Sequence, residues 1–246
     1  MQKTFVLTVS ESKRLIAKGV AEWPSVRRAL KEGMVVVATG TTNSYVVEEL
    51  LGKRMDKTSY RSGLTLPERP TKELRMSQEI MPDLVLRDGK PVEGLDRFTA
   101  VDEMKAGDVY IKGANALDYR RKLAGVLVGL DTGGTIGTVL GKLVGKRIEL
   151  IIPIGLEKLV YEDIYEISRR LAEPGTEGPR MMPVWGTIIT EIEAVKVLTG
   201  AEALLVSSGG VGGAEGSVRL LVRGNRDQLE AVEELMDSIW GEPPWC

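Results

Sequence analysis

Two residue types that carry much of enzyme chemistry are almost missing from this chain. Its 246 residues include no histidine and one cysteine, Cys246. The absence of histidine excludes a Ser-His-Asp triad and most catalytic zinc sites, and it removes the most common general base. A single cysteine excludes a disulfide framework within the chain and favours a cytoplasmic location. We expect neither a metal ion nor a cofactor.

Long apolar runs and clusters of one charge sign are also missing. No apolar stretch approaches the roughly 20 residues of a membrane-spanning helix. Residues 1–14 lack the apolar core and the cleavage site of a signal peptide. The 33 lysines and arginines are interspersed among 35 aspartates and glutamates. We therefore expect neither nucleic acid nor a membrane as a partner.

Short apolar runs and helical segments alternate through the first part of the chain. The pattern predicts strands and helices in turn, and such alternation is typical of an α/β fold with a mainly parallel sheet and helices on both faces. Residues 53–82, broken by Pro67 and Pro70, predict a surface loop, and Asp88-Gly89 predicts a hairpin turn. The predicted strands cover residues 34–38, 108–112, 125–129 and 147–153, and the predicted helices cover residues 43–51, 135–143 and 161–172.

The element order changes after a turn-rich run at residues 173–179. Beyond it the pattern predicts a strand at 184–189, a helix, two strands joined by the glycine-rich loop 208–216, and a last helix. This β-α-β-β-α order is typical of a small ferredoxin-like α+β unit. We therefore predict an α/β ligand-binding domain over residues 1–175 and a small α+β domain over residues 180–246.

The strand at residues 34–38 opens into a turn that is rich in hydrogen-bond donors. A glycine there lets the backbone approach an anion, and the start of the following helix supplies N–H groups and a partial positive charge. The turn therefore predicts a phosphate or carboxylate site, although a plain turn whose side chains cap the helix is the alternative. Its residues are Thr39, Gly40, Thr41, Thr42, Asn43 and Ser44.

A second turn, Lys112-Gly113-Ala114-Asn115, follows the strand at residues 108–112. In open α/β sheets ligands bind beyond the carboxyl ends of the strands, so both turns are expected to border one crevice. We predict that Asp102 and Lys112 face each other across the ligand. Lys112 would stabilise negative charge on a substrate oxygen, and Asp102 would orient a hydroxyl or relay a proton. The alternative is a pair of exposed surface charges.

Taken together, these segments resemble the superfamily of type A ribose-5-phosphate isomerase, glucosamine-6-phosphate deaminase and CoA-transferases. The isomerase phosphate loop reads Gly-Thr-Gly-Ser-Thr, and residues 38–42 here read Ala-Thr-Gly-Thr-Thr. Its Asp-Gly-Ala-Asp-Glu and Lys-Gly-Gly-Gly motifs match Asp102-Glu103 and Lys112-Gly113 in order and spacing. The resemblance implies a phosphate site, a small ferredoxin-like domain late in the chain, and a homo-oligomer.

The departures from that family bear on the reaction. The first aspartate of the family motif falls on Thr99, and the catalytic glutamate falls near Arg120 or Arg121, which cannot act as a base at neutral pH. We therefore expect no ordinary ribose-5-phosphate isomerase activity. Asp118 and Asp131 are the candidates for a different base.

Residues 131–136, Asp-Thr-Gly-Gly-Thr-Ile, are also similar to a motif of bacterial asparaginases and of sugar kinases. In those families the motif opens the domain, whereas here it lies in mid-chain. We expect Asp131, Thr132 and Gly133 only to add an acid and a hydroxyl to the same crevice.

Two functional hypotheses follow, and both take a small anionic metabolite as the partner. In the first, an isomerase-like enzyme acts on a phosphorylated or carboxylated metabolite by proton transfer. In the second, the same scaffold is a non-catalytic binding or sensory module.

Overall fold

The computed structural model describes residues 1–69 and 76–246. Pro70, which the sequence places in a surface loop, lies outside these residues. The strands are β1 (Gln2–Leu7), β2 (Met34–Val37), β3 (Leu84–Arg87), β4 (Lys90–Pro91), β5 (Val109–Ile111), β6 (Ala116–Asp118), β7 (Leu123–Val128), β8 (Glu149–Pro153), β9 (Arg180–Trp185), β10 (Thr187–Ile189), β11 (Glu202–Ser208) and β12 (Val218–Arg223).

The α-helices of the same residues carry most of the remaining core. They are α1 (Val9–Ala21), α2 (Pro24–Glu32), α3 (Thr41–Leu51), α4 (Ala100–Glu103), α5 (Gly134–Lys146), α6 (Ile164–Leu171), α7 (Glu191–Thr199) and α8 (Arg226–Asp237). Two 3-10 turns, Lys57–Ser59 and Leu156–Lys158, lie between them. None of these helices is both long enough and apolar enough to cross a bilayer.

The largest sheet is mixed, with six strands in the order β10-β8-β5-β2-β3-β4. Its first four strands are mutually parallel, and β3 and β4 complete it as an antiparallel hairpin. Asp88 and Gly89 in the hairpin turn both have positive φ, as a two-residue turn between strands requires. The predicted α/β class with parallel strands is therefore confirmed.

Both faces of the central strands of this sheet are buried, because successive side chains of a strand enter different core clusters. Val35 and Val37 pack with residues of α1, α2 and α3. Met34 and Val36 pack in a second cluster that includes residues of α5, α7 and α8. A strand buried on both faces has no polar alternation, which is the reason that β2 was recognisable as a continuous apolar run.

The remaining strands form two antiparallel sheets of three strands each, β1-β12-β11 and β6-β7-β9. This arrangement differs from the predicted series of parallel strands, because the strand predicted at residues 125–129 is observed as β7 (Leu123–Val128), which pairs antiparallel with β6 and β9. The first sheet joins β1 to β12, so segments from opposite ends of the described chain lie side by side.

The predicted ferredoxin-like unit is not confirmed. The strand expected at residues 184–189 divides at Gly186 into β9, which pairs with β7, and β10, which extends the parallel sheet beside β8. A Cβ added to Gly186 would lie 2.4 Å from the carbonyl oxygen of Leu150, so only glycine allows this close passage between sheets. The segment after residue 180 thus contributes strands to all three sheets, and strand pairing crosses the predicted boundary at residues 175–180.

Candidate functional site

A cavity of about 270 Å³ lies at the carboxyl ends of the parallel strands β2, β5 and β8. We call it the edge cavity. Ligands of open α/β sheets bind at this edge, because the loops that follow the strands converge there. The lining residues are Lys13, Thr39, Gly40, Thr41, Thr42, Asn43, Ser62, Gly63, Leu64, Thr65, Lys112, Gly113, Ala114, Asn115 and Lys158.

The turn after β2 is held rigidly from several directions. The Thr39 N–H donates to Asp83 Oδ1 at 2.8 Å, and the Thr39 carbonyl oxygen accepts from Ser62 Oγ at 3.0 Å. Asn43 Nδ2 donates to the carbonyl oxygens of Ala38 at 2.6 Å and Ile111 at 3.3 Å. Because Ala38 directly follows β2 and Ile111 ends β5, this one amide fixes the two strand ends to each other.

Polar atoms of the same turn remain without a partner. Thr39 and Asn43 are each only 1 % exposed, yet Thr39 Oγ1 and Asn43 Oδ1 make no hydrogen bond within the described residues. Helix α3 begins after Gly40 with no side chain capping its first N–H groups. Unsatisfied buried polar atoms are costly, so a set of them along a cavity wall indicates a place for a polar ligand.

Three lysines reach the edge cavity from three different elements. Lys112 Nζ donates to the Gly113 carbonyl oxygen at 3.0 Å, and Lys158 Nζ donates to the Ala114 carbonyl oxygen at 2.9 Å. The third, Lys13, extends from α1. In the described part of the chain none of the three makes a salt bridge.

The pKa values of these lysines are low because burial and mutual repulsion disfavour their charged forms. Burial, with the nearby charge of Lys158, lowers the pKa of Lys13 to about 8. Burial, with the charges of Lys158 and Arg97, lowers the pKa of Lys112 to about 8. Burial likewise lowers the pKa of Lys158. An anion in the cavity would compensate the positive charges of the lysines and so favour their ammonium forms.

Two carboxyl groups lie close to the lysines without lining the edge cavity. Glu157 is near enough to Lys13 and Lys158 to raise their pKa values in part. Glu191 is fully buried, and its carboxyl oxygens accept from the Leu156 N–H at 3.0 and 3.3 Å. Burial raises the pKa of Glu191 to about 8, and the charge of Glu157 acts in the same direction. The raised pKa favours the protonated form of Glu191 at neutral pH, so Glu191 offsets only part of the charge of Lys158.

The structure brings Lys112 and eight of the predicted ligand-binding residues together and separates Asp102 from them. Asp102 lies on α4, its side chain is 62 % exposed, and Oδ1 accepts from Lys142 Nζ of α5 at 2.5 Å. The hydrogen bond from Lys142 lowers the pKa of Asp102. The predicted pairing of Asp102 with Lys112 is not formed, because the one-turn helix α4 packs against α5 and away from the edge cavity.

Five other predicted residues also lie outside the edge cavity. Ser44 points back into its own helix, where Oγ donates to the Thr41 carbonyl oxygen at 2.7 Å. Asp118 Oδ1 accepts from the Arg121 N–H at 3.1 Å. Asp131 and Gly133 line a separate cavity of about 460 Å³, which we call the methionine cavity because Met181 and Met182 also line it.

Thr132 is exposed in the same turn as Asp131. The turn does not reach the edge cavity because it follows β7, a strand of a different sheet.

The sequence analysis missed Lys13, Lys158 and the segment 62–65. Lys158 follows the carboxyl end of β8, so the rule that identified Lys112 applies to it as well. Lys13 lies on α1, and no local signal distinguishes it from the other lysines of that helix. Residues 62–65 belong to the stretch that was predicted to be a surface loop; most of them are exposed, and they also line the cavity.

Within the described ranges, no three histidine, cysteine, aspartate or glutamate side chains cluster as a metal site requires. No family model, no curated protein and no solved structure matches this chain. The chemistry of the edge cavity is therefore the guide to function.

Proposed function

We propose that this chain binds a small phosphorylated or carboxylated metabolite in the edge cavity. The observation that carries the proposal is the composition of the wall: three lysines, several hydroxyls and an uncapped helix start, with no acidic side chain among the described lining residues. Helix N-termini and lysines both favour anions, and the unpartnered Thr39 hydroxyl adds a donor. An uncharged or cationic ligand would leave the positive charge of this wall uncompensated.

The chemistry that we propose is proton transfer on an isomerase-like substrate, with Lys112 as the central residue. A buried lysine with a pKa near 8 exists in both protonation states close to neutral pH, as a general acid or base requires. The exposed position of Asp102 on α4 argues against a role for that residue in the reaction. Ordinary ribose-5-phosphate isomerisation is not proposed, since Arg120 and Arg121 occupy the region of that family's glutamate.

The second candidate function is a non-catalytic binding or sensory module on the same scaffold. The lack of an acidic side chain among the described lining residues favours it, because a carboxylate base is the usual partner of a lysine in such reactions. The two candidates separate when turnover and binding are measured on one panel of sugar phosphates and phosphorylated acids. Lys112→Met should abolish turnover in the first case and weaken only binding in the second, with little change in melting temperature in either.

Replacing Thr41 and Thr42 with valine tests the anion site directly. The variant loses two hydroxyl donors at nearly constant volume, so affinity for glycerol 3-phosphate should fall by about 1–3 kcal/mol, as expected for lost hydrogen bonds to a charged group. Calorimetry measures the change. Thr138→Val on the exposed surface of α5 is the matched control and should bind as the parent does. Unchanged affinity in the double variant would mean that the turn only begins a helix.

We also propose a distant relationship to the isomerase, deaminase and CoA-transferase superfamily, and a homo-oligomer. Residues 39–43 line the same cavity as Lys112 and Gly113, and this shared position supports the distant relationship. Exposed Leu204 and Val206 on the edge strand β11 support the second, since apolar side chains at a sheet edge favour association. Light scattering on the purified protein measures the mass, and a monomer at all concentrations would contradict the oligomer.

A further inference from the structure

The edge cavity contains two chemically different groups of donors. The first consists of hydroxyl and N–H groups at residues 39–43, where β2 passes into α3. The second consists of the ammonium groups of Lys13, Lys112 and Lys158. These lysines come from α1, from the end of β5 and from the 3-10 turn after β8, so none of them belongs to the β2–α3 turn.

The ammonium groups of two lysines converge on adjacent backbone carbonyls. Lys112 Nζ and Lys158 Nζ lie 3.0 and 2.9 Å from the carbonyl oxygens of Gly113 and Ala114. Each ammonium has three donors, so one bond to a carbonyl leaves capacity for a ligand. Glu157 lies near Lys13 and Lys158, and Glu191 lies near Lys158, but neither carboxyl group lines the cavity. Within the described residues, none of the three lysines forms a salt bridge with them. The lysine group thus keeps excess positive charge of its own.

One phosphate group would occupy only the first donor group. A helix start with nearby hydroxyls holds a phosphate by several short hydrogen bonds, whereas lysines act as point charges for any anionic oxygen. We propose that the ligand carries a second anionic group, a carboxylate or another phosphate, which the lysines bind. This inference rests on the proposed function. The volume of about 270 Å³ lies below the roughly 300–1,000 Å³ of drug-sized pockets, so the ligand is a small metabolite rather than a nucleotide.

Matched ligands test the second anionic group. Glycerol 3-phosphate and 3-phosphoglycerate differ in one position, where a neutral CH₂OH replaces a carboxylate. Fructose 6-phosphate and fructose 1,6-bisphosphate make the corresponding comparison for a second phosphate. Calorimetry on the full chain should give at least tenfold tighter binding for the member with two anionic groups in one of these pairs.

Two variants of Lys158 test whether the lysines cause the tighter binding of ligands with two anionic groups. Lys158→Met should remove the advantage of the second anionic group, so that the ratio of the two affinities within a pair falls to about one. Lys158→Gln, which keeps a donor for the Ala114 carbonyl, guards against loss of folding and should behave in the same way. Lys31→Met, on the exposed surface of α2, should bind all four ligands as the parent does. Thr41→Val with Thr42→Val should weaken both members of a pair by the same factor.

Different failures have different meanings. If both members of each pair bind equally well, the second anionic group is disproved and the phosphate site stands. The same conclusion follows if Lys158→Met weakens both members equally, because the lysine would then contact the phosphate. If none of the four ligands binds to the folded protein, the proposed function and this inference both fail.

Discussion

At the scale of single residues, the lysines of the edge cavity determine how binding depends on pH. Lys13 and Lys112 have pKa values of about 8 in the free protein, and a bound anion would raise them. Binding is then accompanied by proton uptake near pH 8. A lysine that binds the ligand through its ammonium form contributes to affinity below its pKa in the free protein. That contribution is lost as the pH rises above this pKa.

Affinity for 3-phosphoglycerate, whose carboxylate is the second anionic group, should therefore fall by about tenfold between pH 7 and pH 9 for each lysine that must be protonated. The phosphate monoester is already a dianion across this range, since its second pKa is about 6. Lys112→Met should flatten the profile, and Lys31→Met should not. Calorimetry in buffers of different ionisation enthalpy measures the proton uptake. An affinity that is constant from pH 7 to pH 9 would contradict the assignment of these lysines to the ligand.

Arg14 illustrates the opposite situation, a charge that is fully compensated inside the protein. Its guanidinium is 3 % exposed and bonds to the carboxylates of Glu48, Glu49 and Glu242. These hydrogen bonds raise the pKa of Arg14 despite its burial and lower the pKa of Glu242 to about 2. The network joins α1, α3 and the segment after α8.

Arg14→Met should lower the free energy of unfolding by about 3 kcal/mol, because it removes the buried cation of the network and leaves Glu48 and Glu242 only the contacts with Arg54 and Lys57. Chemical denaturation measures the loss. Arg226→Met removes an exposed pair with Glu230 and should cost less than about 1 kcal/mol. Similar losses in the two variants would mean that burial does not decide the strength of these ion pairs.

At the scale of elements, close packing of α1 on α7 positions one of the three lysines. A Cβ added to Gly19 of α1 would lie 2.6 Å from the Cβ of Ala194 on α7. Glycine thus allows the two helix backbones to approach closely at this point. Because Lys13 is two turns earlier on α1, the contact also sets how far its side chain reaches into the edge cavity.

Gly19→Ala should therefore destabilise the protein by about 1–3 kcal/mol, the range for overpacking, and weaken anion binding. Gly141 in α5 has no neighbour within 4 Å, so Gly141→Ala should instead stabilise by about 0.5–1 kcal/mol through helix propensity. Melting temperatures of the two variants should move in opposite directions. A higher melting temperature for both variants would show that α1 and α7 can move apart at little cost.

The sequence predicts local elements better than their partners. The Asp88-Gly89 hairpin and the turn after β2 were identified because glycine conformation and helix starts depend on nearby residues. The partners of β7 and β10 depend on contacts between distant segments, which periodicity does not encode. Two site segments were predicted because both follow parallel strands, whereas Lys13 was missed because a helix residue enters a site only through tertiary packing.

At the scale of the whole molecule, buried carboxyl groups shape the dependence of stability on pH. The folded pKa of Glu242 is about 2, below its ordinary value, so its stabilising contribution is present above about pH 4.3 and is lost as the pH falls towards 2. Glu191 acts in the opposite sense. Its folded pKa of about 8 lies above the ordinary value, so its contribution is complete at low pH and is lost as the pH rises through 8.

Glu191→Gln should accordingly match the parent in unfolding free energy near pH 5 and exceed it near pH 9. Glutamine keeps an oxygen that accepts from the Leu156 N–H and never becomes charged. Urea denaturation at the two pH values measures the difference between the proteins. A variant that is less stable at both pH values would indicate that the ionised carboxylate, rather than the neutral acid, is the folded form.

The pairing of β1 with β12 has a consequence during synthesis. Translation releases β1 first, but its partner emerges only when residues 218–223 leave the ribosome. Until then Phe5 and Leu7, which are buried in the finished protein, lack the strand that covers them. Helix α1, which begins immediately after β1, carries Lys13 into the edge cavity. A ribosome-bound chain that has not yet exposed β12 should therefore hold an incomplete cavity, and ligand binding should appear only late in translation.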